Sequence, residues 1–139
     1  MPAKPETTLY KRFKENLPSS HITRIESRVN LGIPDCLVAF PHGEFVMVEL
    51  KVVRKGRKVN LSPHQVAFHA KHADLRCPTF ILVQYQPTGT VHRKKSELLL
   101  YGNDQAIDLI KLGVDAEPLA RWDHGAVNWI ELRKHLLES

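Results

Sequence analysis

Residues 32–65 read GIPDCLVAFPHGEFVMVELKVVRKGRKVNLSPHQ, and the folding of this stretch decides the rest of the chain. Two apolar runs rich in Val, Leu and Phe, Cys36 to Phe40 and Phe45 to Val53, flank Pro41-His42-Gly43, whose composition is that of a turn. A three-residue hairpin loop with Gly43 in the left-handed position pairs Phe40 with Glu44. Five steps further along the ladder, Asp35 falls opposite Glu49. Side chains alternate along a strand, so Glu49 and Lys51 share one face while Val48, Leu50 and Val52 share the other. One turn geometry thus gathers two carboxylates and an ammonium on one side of a hairpin.

That grouping is unfavourable for stability alone. Neighbouring carboxylates repel, and one of them must hold its proton unless a cation arrives. Oxygen ligands at this density suit a hard cation such as Mg²⁺, which takes one or two carboxylates together with waters and substrate phosphate. Such an ion activates water and stabilises charge on a phosphate under attack. The alternative is an edge hairpin with Glu49 and Lys51 solvated beside an unrelated Asp35.

The surroundings favour chemistry. Pro34-Asp35, thirteen residues, then Glu49-Leu50-Lys51 resembles the PD-(D/E)XK nuclease superfamily, with its metal-binding Asp and Glu and its catalytic Lys. Leu61-Ser62-Pro63-His64-Gln65 resembles the L-S-x-x-Q start of the following helix in the virus-type replication-repair branch. Gly32-Ile33-Pro34-Asp35 looks like that branch's G-x-P-D. The branch includes small phage nucleases related in fold to Holliday junction resolvases, and the resemblance covers residues 20–85. It implies a restriction-endonuclease-like α/β core, a central mixed sheet flanked by helices. It also implies Mg²⁺ or Mn²⁺ held by Asp35, Glu49 and the backbone carbonyl of Leu50, with Lys51 orienting the attacking water and Gln65 acting from the helix start.

The chain has 139 residues, enough for one domain with a sizeable core, expected to span 1–139 with its nuclease core at about 5–86 and a strand-and-helix extension over 87–139. A hydrophobic content of 42% with 25% charged residues is that expected of a soluble globular protein. No apolar run approaches the ~18 residues of a membrane span. The first residues, MPAKPETTLYKRFKEN, lack a signal-peptide core, so a cytoplasmic, unsecreted protein is expected. Cys36 and Cys77 form no disulfide or zinc pattern and read as small buried hydrophobes. The net charge of +5 suits a polyanionic partner, and Lys51, Arg54, Lys55, Arg57 and Lys58 fall within eight residues.

Upstream, Leu9, Phe13 and Leu17 mark one face of a helix from Pro5 to Leu17. Glu15 on it is either a solvated partner of Lys11 or the further acid that many nucleases of this superfamily place on the first helix. His21 to Val29 reads as a strand with Arg24, Glu26 and Arg28 on one face. That face is an exposed ion-pair surface, or it supplies an upstream acid and two phosphate-binding arginines. The R-I-E segment that small phage nucleases show before G-x-P-D favours Glu26 as the acid, both metal-binding and catalytic.

Arg54 to Asn60 is a charged loop read either as a solvated connection or as a lining or flap for the DNA backbone. Ser62, Pro63 and Gln65 spell a capping box for a helix running to about Leu75, a structural role for Gln65 compatible with a site role. His64 stands where a helix N-terminus favours phosphate; His69 and His72 read as surface residues. Pro78 to Gln86 is a buried strand, parallel to the catalytic one through a right-handed crossover. Glu97 to Tyr101 is a further strand, and Asn103 to Leu112 a helix marked by Ala106, Ile107 and Ile110 and closed by Gly113. Leu119 to Asp123 is an edge strand, and Ala126 to Leu137 a last helix with Trp129, Leu132 and Leu136 on its apolar face.

The expectation is a metal-dependent DNA endonuclease selective for branched, flap or nicked DNA in replication, recombination or repair; a catalytically inactive DNA-binding module of the same fold is the alternative. One active site per subunit means that paired incisions require a homodimer, for which the Trp129 face is the available surface.

Overall fold

The structure, a computed structural model, describes residues 5–25, 32–87 and 96–138. The hairpin forms in the expected register, with Phe40 opposite Glu44 and Cys36 opposite Val48 between β2 (Cys36–Phe40) and β3 (Glu44–Val53). Its turn places His42 as well as Gly43 in the left-handed region, at φ 74° and 83°. β1 (His21–Arg24) pairs antiparallel with β2, and the pairing continues as the Ile25 N–H donates to the Asp35 carbonyl at 2.7 Å. The remainder of the first strand's expected span, including Glu26 and Arg28, lies outside the described residues.

β3 runs parallel to β4 (Thr79–Tyr85), and β5 (Glu97–Gly102) and β6 (Ala120–Asp123) add antiparallel. The six strands form one mixed sheet in sequence order, so the C-terminal strands extend the same sheet as the hairpin. The parallel step requires a crossover, which α2 (Pro63–Asp74) provides. Alternation along the strands then sorts two cores. Val46, Val48, Leu50, Phe80 and Leu82 pack with Leu9 and Phe13 of α1 (Pro5–Glu15) and with Leu132 and Leu136 of α4 (Trp129–Leu137). Val53, Ile81, Val83, Leu99 and Tyr101 pack on the other face with Val66 of α2 and with Ala106 and Leu109 of α3 (Ala106–Leu112). The protein is therefore α/β, a mixed sheet flanked by helices on both sides.

Three local expectations are corrected. On α3 it is Ala106 and Leu109 that turn inward, while Ile107 and Ile110 are exposed, because the turn Asn103–Gln105 precedes the helix and sets its rotation. Cys36 is buried but Cys77 is exposed, since the chain leaves α2 before β4 begins. His69 is no surface residue: at 0% exposure it lies under α2 against the sheet. Among the described residues no helix is long and apolar enough to cross a membrane.

Candidate functional site

Asp35 stands immediately before β2, and Glu49 and Lys51 lie near the middle of β3, on the face that α2 covers. The Leu50 N–H donates to Asp35 Oδ2 at 2.8 Å. This backbone bond fixes the Asp35 carboxylate beside the Glu49-Leu50-Lys51 tripeptide. In an antiparallel ladder the N–H and C=O of one residue face the same neighbouring strand. The Leu50 carbonyl therefore also faces the Asp35 side, beyond the last paired residue of β2.

Glu49 is 1% exposed, and its Oε1 is buried without a hydrogen-bond partner. Burial, then the hydrogen bond and the charge of Asp35, push its carboxyl up to about 9, while Lys51 pulls the other way. A strand residue with this environment holds a proton at neutral pH unless a cation replaces it. Lys51 donates from Nζ to Gln65 Oε1 at 3.1 Å. The same oxygen accepts the Ser62 N–H at 2.9 Å, and Ser62 Oγ accepts the Gln65 N–H at 3.1 Å. The capping box and the contact to Lys51 are thus made by one side chain. A reciprocal cap contributes ~1 kcal/mol to a helix terminus, and here it also holds an acceptor on the lysine.

Gly32 joins the two ends of the quoted stretch. A Cβ there would stand 2.2 Å from the His64 carbonyl oxygen and 2.7 Å from the Gln65 nitrogen, and the residue has φ +79°. Only glycine fits, because the loop before Asp35 runs directly across the first turn of α2. The segments GIPD and SPHQ are two halves of one contact.

Not all expected site residues gather here. Arg24 stacks over Tyr10 of α1 at 5.1 Å and donates to Thr7 Oγ1 at 3.3 Å, so it serves the opposite face of the sheet. Glu15 is exposed on α1, in that opposite layer. Arg54, Lys55, Arg57 and Lys58 are exposed on the loop between Lys51 and Gln65, with the Arg54 Nε–H donating to Gln86 Oε1 at 3.4 Å and Arg57 paired with Asp115 at 2.7 Å. His64 is exposed at the N-terminus of α2. Glu26 and Arg28 lie outside the described residues, and among the described residues no group of three His, Cys, Asp or Glu side chains converges.

Two polar residues not expected near the site, His69 and Thr79, lie beside it. His69, one helical turn after Gln65, shares a 2.8 Å hydrogen bond between Nδ1 and Thr79 Oγ1, and its Nε2 is buried without a partner. Burial, aided by His72 and Lys51, lowers its imidazole to about 4, so it is neutral at physiological pH. The spacing of Gln65 and His69 by four residues was the available signal, since it puts both on one helix face.

Among solved structures the chain is similar to a Holliday junction resolvase from the archaeal hyperthermophile Archaeoglobus fulgidus. The identity is 12% and the TM-score 0.46, over 92% of this chain and 99% of that one. No family model and no curated protein matches the chain.

Proposed function

We propose that this protein is a metal-dependent DNA endonuclease of the PD-(D/E)XK type that hydrolyses phosphodiester bonds. The observation that carries the reading is the environment of Glu49: a buried carboxyl with an orphaned oxygen, set against Asp35 and one residue from Lys51. A stability-driven core would hold an apolar side chain at this position.

The residues fit a hard divalent cation. Asp35, the orphaned Glu49 oxygen and the Leu50 carbonyl are oxygen donors of the type Mg²⁺ and Mn²⁺ select. When bound, the ion would supply charge neutralisation and an acidified water. Lys51, held by Gln65 Oε1 and near enough to Glu49 to pull its carboxyl pKa down, would orient a water or neutralise a phosphate oxygen. Gln65 fixes the lysine rotamer. Most of the rate then comes from positioning and charge stabilisation, so small displacements of Lys51 are costly.

Labelled linear duplex, single-stranded, flap, nicked and four-way-junction DNA, incubated with Mg²⁺ or Mn²⁺, tests the proposal. Cutting that EDTA abolishes, and that Lys51→Ala loses while still binding Mn²⁺, supports the nuclease and ranks its preference for branched substrates. Folded, Mn²⁺-binding protein that binds these DNAs and cuts none of them would indicate a catalytically inactive module instead. A homodimer in solution would let the single site per subunit make paired cuts.

A further inference from the structure

Lys51 and Gln65 touch, so the chain between them is an excursion that leaves the site and returns to it. Its outer part, Arg54 to Asn60, carries four basic side chains, and short charged loops of this type are ordinarily loose. This one is gripped. The Val114 N–H donates to the Arg57 carbonyl at 2.8 Å, and Asp115 Oδ1 accepts from Arg57 Nη1 at 2.7 Å. At Gly113, φ +60°, a Cβ would stand 1.9 Å from the Arg57 carbonyl oxygen and 2.7 Å from its carbon. Three consecutive residues therefore close on one residue of the loop. Val59, 1% exposed, plugs the returning limb into the core of the α2 and α3 face, and Arg54 meets Gln86 at the departing limb.

We propose that Gly113-Val114-Asp115 is a clasp that holds the Arg54–Asn60 loop as a preformed phosphate-binding rail beside Lys51. The inference rests on the nuclease reading and adds positioning residues far from its motifs in sequence. The clasp leaves Lys55 and Lys58 exposed on a fixed backbone, so DNA binding does not have to order them first. The Arg57–Asp115 pair is about half exposed on each side and contributes little alone. The Val114 N–H to Arg57 carbonyl bond, which the missing Cβ at Gly113 permits, is what holds the loop.

The test combines two measurements. Backbone ¹⁵N relaxation of the wild-type protein should give Lys55 and Lys58 order parameters of about 0.8, as for rigid backbone; values below about 0.6 overturn the clasp. Asp115→Asn should leave those values unchanged, and loss of order there would overturn the backbone bond as the holder. Binding of fluorescent duplex DNA in EDTA is then measured against salt. The Lys55→Ala/Lys58→Ala double variant should flatten the slope of log K against log salt by about 2. Gly113→Ala should weaken binding at every salt concentration, because the freed loop must be ordered on binding, while keeping its circular dichroism and its Mn²⁺ binding. Folded Gly113→Ala with wild-type affinity overturns the proposal. Should Gly113→Ala not fold, the order parameters and the double variant decide it. Wild-type protein that binds no DNA at all sinks the nuclease reading, and with it the rail, even if the loop proves rigid.

Discussion

Glu49→Gln should make the metal-free protein more stable, and by an amount set by pH. Unfolded, the Glu49 carboxyl titrates near its ordinary 4.5; folded, it is pushed up to about 9 by burial and by Asp35. Between these values the folded state binds one proton more than the unfolded state, so stability falls as pH rises, by ~1.4 kcal/mol per unit. At pH 7 the folded protein has taken up that proton against a penalty of about 3 kcal/mol. Glutamine has nearly the same shape, carries no charge and can donate to Asp35 from its amide, so it avoids the penalty. Urea denaturation in EDTA should place the Glu49→Gln midpoint about 1–2 M above wild type at pH 7, with an unchanged m-value. The gap should widen at pH 8.5 and nearly close at pH 5. Added Mn²⁺ should reverse the order, since it binds the folded wild type through the deprotonated carboxylate and stabilises it by mass action. Parallel stability curves for the two proteins between pH 5 and 8.5 would refute the reasoning, because they would mean that Glu49 is not forced to hold a proton in the fold.

Other residues give separable outcomes. Gln65→Ala removes both the cap and the acceptor on Lys51, so it should cost ~1 kcal/mol in chemical denaturation and lower kcat for DNA cleavage more than it raises KM. Gly32→Ala pushes a methyl group into the His64 carbonyl, and a thermal melt should show a loss of more than ~2 kcal/mol. His69 acts at the acid end. Its folded imidazole is lowered to about 4 from 6.5, so its contribution is full above pH 6.5 and disappears as pH falls toward 4. His69→Gln should flatten the acid limb of the stability curve between these values, and an acid limb unchanged by the substitution would show that His69 is not the group responsible.

Much of this protein is legible in the stretch from Gly32 to Gln65. The hairpin register follows from the length of the Pro41–Gly43 turn, and that register alone sets Asp35 near Glu49 and puts Lys51 on the same face. The capping box at Ser62 and Gln65 is likewise local, as is the parallel crossover implied by strand, helix and strand. These features depend on residues close in sequence, where turn chemistry, alternation and backbone valence leave few choices. What only the tertiary structure decided depends on approach between distant segments. The reason residue 32 must be glycine is the first turn of α2, thirty-two residues away. Arg24 joins α1 because strand parity turns it away from Glu49, and His69 is buried because α2 lies flat on the sheet. The loop that reads as a loose basic run is held by a backbone N–H after α3, a contact without a sequence pattern because it joins Val114 N–H to the Arg57 carbonyl and needs only a missing Cβ at Gly113. Local rules fix which groups the chain carries and the order in which they alternate; packing between layers decides which of them meet, since that depends on how helices seat on the sheet.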